Sequence, residues 1–291
     1  MMKILTSLKR IYYTCLAIAV RIKIKWFIPK QWLTGQSGYP RWIAKYEEPY
    51  ARRNETFAYN PLISIVLPVY NVEESLLVEC IQSVLDQDYP NWELCIADDH
   101  STEPHIHTVL DDFSRRDARI HVLYRSENGH ISACSNSALA LASGEFVALL
   151  DNDDTLAPFA LREIVRVINQ NRGVDMMFSD EDKLEGGKRA FPFHKRFYGK
   201  PFLLHLNYIC HLAVYRTSLI RQVGGFREGY EGVQDWDLAL RVVQSTDNIV
   251  HIPRILYHWR ISGNSTAGGE HKKDYIRQAK KKMLTDFHSK G

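Results

Sequence analysis

Glu145-Phe-Val-Ala-Leu-Leu-Asp-Asn-Asp153 decides how this chain folds. The unbroken apolar run from Phe146 to Leu150 reads as a buried strand, and an acidic triplet stands at its C-terminal tip. Two carboxylates leaving a strand end, Asp151 and Asp153, make a seat for a hard divalent cation. The sequence contains no glycine-rich phosphate cradle, so a cation is the natural partner for a diphosphate bound at that tip. Asp-x-Asp alone also occurs in solvated turns. The strand before it and the elements around it give it weight.

Those elements alternate. Leu62 to Leu67 reads as a buried strand, and Glu74 to Gln87 has helical spacing through Leu77, Cys80, Ile81, Val84 and Leu85. Trp92 to Ala97 is a second strand, followed by a helix near 104–116, a strand from Arg119 to Tyr124 and a helix from Ile131 to Ala142. This alternation predicts an α/β fold, a parallel sheet with helices on both faces. Ligands of such sheets bind outside the carboxyl ends of the strands. The polar residues gather at those ends: Pro68, Tyr70 and Asn71; Asp98 and Asp99; Asn128 and Gly129; and the triplet Asp151, Asn152, Asp153. The second half is less regular. It predicts strands at 174–179, 208–215 and 248–252, a loop through Gly186 and Gly187, a helix starting near Asp235 and a closing helix from Asp274.

Charge is unevenly spread. Residues 1–60 carry 11 Lys/Arg against 3 Asp/Glu and residues 271–291 carry 7 against 2, which leaves 19 against 29 for 61–270. An acidic body argues against nucleic acid as a partner, while basic ends favour anionic lipid. The five cysteines, Cys15, Cys80, Cys95, Cys134 and Cys210, include no Cys-x-x-Cys pair, which indicates a reducing cytoplasm without structural zinc. Ile11 to Val20 is apolar but too short to span a bilayer, and Lys9, Arg10, Arg21, Lys23 and Lys25 flank it. It reads as an interfacial amphipathic helix with Trp26, Phe27 and Trp32 at headgroup level, the alternative being a helix packed on its own domain or a second subunit. The expected organisation is a basic extension and irregular connector over 1–60, a catalytic domain over 61–270 with halves 61–155 and 156–270, and a basic helix over 271–291.

Ile65-Val-Leu-Pro-Val-Tyr-Asn71, Ala97-Asp-Asp-His-Ser101, Leu150-Asp-Asn-Asp-Asp154 and Gln234-Asp-Trp-Asp-Leu238 stand in the order and approximate spacing of family 2 glycosyltransferases of the GT-A fold. The resemblance covers about residues 61–265 and implies a Rossmann-like mixed sheet with helices on both faces, plus an N-terminal helical extension. Ser179-Asp-Glu-Asp-Lys183, Gly225-Phe226 and Tyr257-His-Trp-Arg260 are similar to the branch that builds bacterial surface polysaccharide. The resemblance implies inverting transfer of a hexosyl or deoxyhexosyl group from a nucleotide-diphosphate sugar to a saccharide or lipid-linked saccharide, of lipopolysaccharide or O-antigen type. It also implies Mn²⁺ or Mg²⁺ as cofactor, and peripheral attachment at the inner face of the cell membrane is expected from the basic N-terminal segment.

By the same resemblance Tyr70 packs on the base and Asp99 accepts its ring N–H, with Pro68, Asn71, Asn128 and Asn152 lining the nucleotide site. Asp151 holds the ribose, while Asp153 and His258 hold the metal. Asp180, Gln234 and Trp236 fall on the acceptor side, and Asp235 is the general base. A carboxylate of ordinary pKa, ~3.9, can take the acceptor proton as the new bond forms. Two features depart from the family pattern: Gln234 stands where Glu is usual, and no Gln-x-x-Arg-Trp motif is present, which argues against a processive synthase. A nucleotidyltransferase would need a glycine-rich basic loop after the first strand, and Pro68 to Glu74 offers neither glycine nor lysine. A non-catalytic saccharide-binding or assembly subunit on the same fold is the remaining alternative. Asp98 and Asp99 could also cap the helix that follows them, and Gly263 to Gly269 could form a lid over the nucleotide.

Overall fold

A computed structural model describes residues 38–53, 55–195, 199–261 and 273–289, with the side chains of Lys273, His288 and Ser289 left aside. The chain divides into two compact units, residues 1–53 with 197–208, and residues 54–196 with 209–291. The interfacial helix, its aromatic anchors and the glycine-rich segment at 263–269 lie outside the described residues.

In the smaller unit the expected irregular connector is helical. Tyr39–Trp42 is α-helix, Ile43–Glu47 is π-helix and Glu48–Ala51 is α-helix. Pro40 and Pro49 each fall in the first turn of a helical piece, where no backbone N–H is needed. Pro49 has no N–H to close an α-type bond on Lys45, and the backbone widens to the π form just before it. Lys200–Leu203 forms one further turn.

The larger unit is built on one mixed sheet. Its strands are β1 (Ile63–Val69), β2 (Trp92–Asp98), β3 (Ile120–Tyr124), β4 (Phe146–Leu149), β5 (Thr155–Leu156), β6 (Met176–Glu185), β7 (Lys188–Phe193), β8 (Ala213–Arg216) and β9 (Ile249–Arg260). They lie in the order β3-β2-β1-β4-β8-β6-β9-β5, with β7 paired to β6. β1 and β2 are buried along their whole length, as strands covered on both faces must be. The covering helices are α1 (Glu74–Leu85), α2 (Pro104–Arg116), α3 (His130–Leu141), α4 (Ala160–Gln170), α5 (Thr217–Gln222), α6 (Gln234–Ser245) and α7 (Lys273–Ser289). Each of α1 to α3 buries one stripe, such as Leu77, Cys80, Ile81 and Val84 on α1.

β1, β2, β3 and β4 are mutually parallel, with Val69 opposite Asp98 and Asp98 opposite Tyr124. β8 is antiparallel to β4 and to β6, and β9 is parallel to β6. β6 and β9 therefore run in the same sense as β1, and their C-terminal ends reach the edge where the β1–β4 tips lie.

Several elements differ from expectation, among them β5, β7 and α5, which the sequence reading lacks, and β6, which runs on past 179 to Glu185. α4 has no counterpart in the sequence reading, although Leu161, Ile164, Val165 and Ile168 recur at helical spacing and are all buried. The strand predicted from 208 begins only at Ala213, because the carbonyls of Ile209 and His211 are taken by the Lys195 ammonium and leave the ladder. The strand predicted at 248–252 runs on to Arg260. It passes Pro253 through a register shift, Ser179 facing Ile252 and Asp180 facing Ile255, which spares the proline a ladder bond.

Candidate active site

Hydrogen bonds lace the four parallel strand tips together. Asp99 N–H donates to the Val69 carbonyl at 2.8 Å, and Asn152 Nδ2 to the Pro68 carbonyl at 3.0 Å. Asn71 sits at φ +44°, a left-handed backbone that asparagine tolerates better than most residues. From there its Oδ1 accepts the N–H groups of Thr102 and Glu103, at 2.8 and 3.2 Å. Neither Asp98 nor Asp99 therefore caps α2, contrary to the alternative raised above. Asn71 supplies those acceptors from the neighbouring tip.

Asp98 instead takes the Ser101 N–H and the His107 ring, and is fully buried. Asp99 is 2% exposed. Its Oδ1 accepts the Gly129 N–H at 3.0 Å and lies 2.8 Å from Arg125 Nε. Asn128 donates through Nδ2 to the Asp99 carbonyl at 3.1 Å. Arg125 is thus the countercharge that lets a carboxylate sit under this loop, and its Nη1 also holds the Ala133 carbonyl and Ser137. Tyr70, 48% exposed, stands at the mouth of the β1 tip.

The acidic triplet is held from across the sheet. The Tyr257 hydroxyl donates to Asp154 Oδ2, and Arg260 donates its N–H to Asp154 Oδ1 and its Nε to the Asp153 carbonyl, at 2.6 and 2.7 Å. Burial pushes the Asp154 carboxyl well above the usual carboxylate range, and the charges of Asp151 and Asp153 push it further. Burial likewise raises Asp153, against the pull of its own N–H, Arg260 and His211. Asp151 is raised by desolvation first. His211 opposes that shift, while Asp153 and Asp235 add to it.

Asp235 lies in the first turn of α6 and is partly exposed, and its charge reaches Asp151, Cys210 and Tyr215. Its neighbour Asp237 is buried between Arg227 and Arg241 and is structural. Gln234 folds back to accept the Gly232 N–H at 2.7 Å.

A hard cation fits this edge, because Asp151 and Asp153 gather beside the buried Asp154 and their charges raise it. Asp151, Asp154 and His211 each offer a ligand atom within 4.8 Å of the others. That grouping differs from the pair expected from the sequence, Asp153 and His258. His258 is 7% exposed, and its Nδ1 meets Asp182 Oδ1 at 2.6 Å. A carboxylate on one ring nitrogen is the usual support of a metal-binding imidazole and leaves Nε2 as the coordinating atom. His258 on β9 pairs with Thr155 of β5, two residues after Asp153.

Two residues expected on the acceptor side are buried. Asp180 is 2% exposed and points inward, its oxygens taken by His194 at 2.9 Å, His251 at 2.7 Å and the Lys195 N–H at 2.7 Å. Trp236 is 5% exposed, packed in α6 under the Lys280 ammonium. Arg125, His211, Tyr257 and Arg260 contact Asp99, Asp151, Asp154 and Asp153 respectively and had no assigned role in the sequence. Tyr257 and Arg260 lay inside a quoted motif, but His211 and Arg125 had no spacing signal.

The profile described as Glycosyl transferase family 2 matches residues 64–224, more than half the chain. The O-antigen biosynthesis protein RfbC of Myxococcus xanthus is 37% identical over 238 residues, covering 79% of this chain and 18% of that protein. The chain spans a quarter or less of the length of the first curated relatives it matches. Among solved structures, S. aureus TarS 1-349 in complex with UDP-GlcNAc superposes with TM-score 0.61 at 21% identity, over 78% of this chain and 71% of that one. The mannosyltransferase PcManGT from Pyrobaculum calidifontis, in complex with GDP-Man and Mn2+, gives TM-score 0.58 at 16% identity, over 96% and 84%. These structures share the GT-A fold with this chain, and the sequence match assigns it: the chain belongs to glycosyl transferase family 2.

Proposed function

We propose that this protein is a metal-dependent, inverting glycosyltransferase that moves a sugar from a nucleotide-diphosphate donor to a saccharide acceptor in surface-polysaccharide synthesis. One observation carries the reading. Asp151, Asp154 and His211 each offer a ligand atom within 4.8 Å of the others at the acidic strand tip, and the Asp235 charge adds to the rise of the Asp151 carboxyl. That pairing suits single displacement, where the acceptor oxygen attacks the anomeric carbon from the side opposite the leaving diphosphate.

In this reading Tyr70 covers the base and Asp99 accepts its ring N–H. Both Asp99 contacts fall on Oδ1, which leaves Oδ2 for the base. Asn152, Asn128 and Asn71 keep the strand tips in register under the nucleotide. Asp235 takes the acceptor hydroxyl proton onto a carboxylate oxygen as the glycosidic bond forms. Mn²⁺ or Mg²⁺, held by Asp153 and His258 together with the Asp151–Asp154–His211 group, would offset the charge of the departing diphosphate. The nucleotide-sugar complexes of TarS and PcManGT support the donor class, and the name of RfbC supports an O-antigen-type, lipid-linked or lipopolysaccharide acceptor.

Attachment to the membrane surface rests on charge. Basic residues crowd both ends, and no helix among the described residues is long and apolar enough to cross a bilayer. The test is calorimetry with a panel of nucleotide-sugars, with and without Mn²⁺, followed by a donor-hydrolysis assay. Metal-dependent binding of one donor with slow hydrolysis is expected. No metal-dependent binding of any donor would overturn the enzymatic reading in favour of a saccharide-binding subunit.

A further inference from the structure

Lys195 is fully buried, and its ammonium sits among three acceptors. Nζ donates to the Ile209 carbonyl at 2.7 Å and to the His211 carbonyl, and lies 3.0 Å from Glu181 Oε2. Glu181, 3% exposed, accepts the His211 N–H on the same oxygen at 3.3 Å. Lys195 Nζ and Glu181 Oε2 are thus aimed at one short stretch of backbone, while Glu181 Oε1 takes the Lys183 ammonium at 3.2 Å. Between the two clamped carbonyls stands Cys210 at φ +39°, a left-handed conformation that side-chain-bearing residues rarely adopt.

A strand entering β8 needs no such device. The turn breaks the ladder and swings the next side chain toward the acidic tip. The His211 ring stacks on Tyr257 with centroids 4.4 Å apart and planes 10° from parallel, and meets the edge of Trp259. Its Nε2 then lies 3.6 Å from Asp151 Oδ2. A strained turn fixed by a desolvated ion pair is costly, and such devices persist where they position a working group.

We propose that the Lys195–Glu181 pair holds the Ile209–His211 backbone so that the His211 imidazole faces the donor's diphosphate beside Asp151. His211 is then a donor-binding residue, and Lys195 and Glu181 are positioning residues. The inference rests on the glycosyltransferase reading above and adds the means by which the far wall of the cleft is aimed.

The test uses the full chain with Mn²⁺ alone and with UDP, GDP and dTDP in Mn²⁺, read by calorimetry, with thermal unfolding as the check on folding. His211→Phe keeps the stack on Tyr257 and removes both ring nitrogens. It is expected to weaken binding of the recognised diphosphate by about tenfold at a wild-type melting temperature. Lys195→Met with Glu181→Gln removes both buried charges together, and is expected to weaken binding by a similar factor. All three substitutions combined are expected to lose no more than His211→Phe alone.

Wild-type affinity in His211→Phe overturns the proposal, as does full additivity of the clamp and imidazole losses. If the paired swap has no cooperative unfolding transition, Lys195→Arg replaces it, since a bulkier planar guanidinium cannot stand in for one nitrogen shared by all three acceptors, and the same outcomes apply. A wild-type protein that binds none of the diphosphates overturns the functional reading itself. A binding wild type with unaffected variants overturns this inference alone.

Discussion

The Tyr257 hydroxyl donates to Asp154 Oδ2 at 2.6 Å and accepts the Asp151 N–H at 3.2 Å. One oxygen on β9 thereby anchors both ends of the acidic tip that follows β4. Asp154 is fully buried, and its carboxyl is already raised by burial and by its acidic neighbours. Tyr257→Phe would take one of its two donors and leave only the Arg260 N–H. A loss of about 1–3 kcal/mol in urea-unfolding stability is expected, with weaker nucleotide binding as the tip loosens. An unchanged unfolding midpoint would show that the hydroxyl does not anchor Asp154.

Asp235→Asn keeps the size and the helix-start position but removes proton affinity. Turnover should fall by roughly 10²–10⁴ while donor affinity changes little, because the base acts on the acceptor. Single-turnover kinetics beside donor calorimetry separates the two quantities. A variant that transfers sugar as fast as wild type would move the base elsewhere.

The acidic tip carries a trade between stability and binding. Burial raises Asp153, so at neutral pH the folded state holds a charge it disfavours when no cation is present. Because the folded-state pKa lies above the unfolded value, this penalty is absent at low pH and sets in as pH rises through the shifted range. Asp153→Asn should therefore melt higher than wild type without metal at pH 7. It should also lose the stabilisation that Mn²⁺ with nucleotide gives wild type, about 2.7 kcal/mol at ligand one hundred times Kd. Adding EDTA should lower wild type to its metal-free melting point and leave the variant unmoved.

Asp180 behaves in the opposite way. Burial would raise it, but hydrogen bonds from His194, His251 and the Lys195 N–H outweigh that and bring it down to about 2. A folded-state pKa below the unfolded value of ~3.9 stabilises the fold above pH 4, and the contribution is lost as pH falls toward 2. The shift corresponds to about 2 kcal/mol. Acid unfolding of wild type and Asp180→Asn should show a stability gap that closes across that window. A constant gap would mean that the Asp180 carboxylate is not the titrating group.

The alternating half of the fold was legible because its cues are local. Leu62 to Leu67 and Phe146 to Leu150 are apolar runs bounded by polar tips, and the helices between them repeat at the spacing of one buried stripe. α4 carried the same cue in Leu161, Ile164, Val165 and Ile168 and was still missed, since it directly follows the Asp-rich loop and a two-residue strand. The start of β8 and the length of β9 were illegible for another reason. One depends on a buried ammonium from residue 195, and the other on a register shift against β6.

The sequence by itself determined an acidic strand tip, a carboxylate opening a late helix and an α/β alternation that sends polar residues to one sheet edge. All of these follow from side chains that are neighbours along the chain. Only the tertiary structure decided that His211 stacks on Tyr257 beside Asp151, that Arg125 neutralises Asp99 and that Asp180 is turned into the core. Those relationships arise where strands distant in sequence come into register and where burial forces each charge to find a partner. A period in the sequence marks which face of an element is buried, but not which residue waits on the other side.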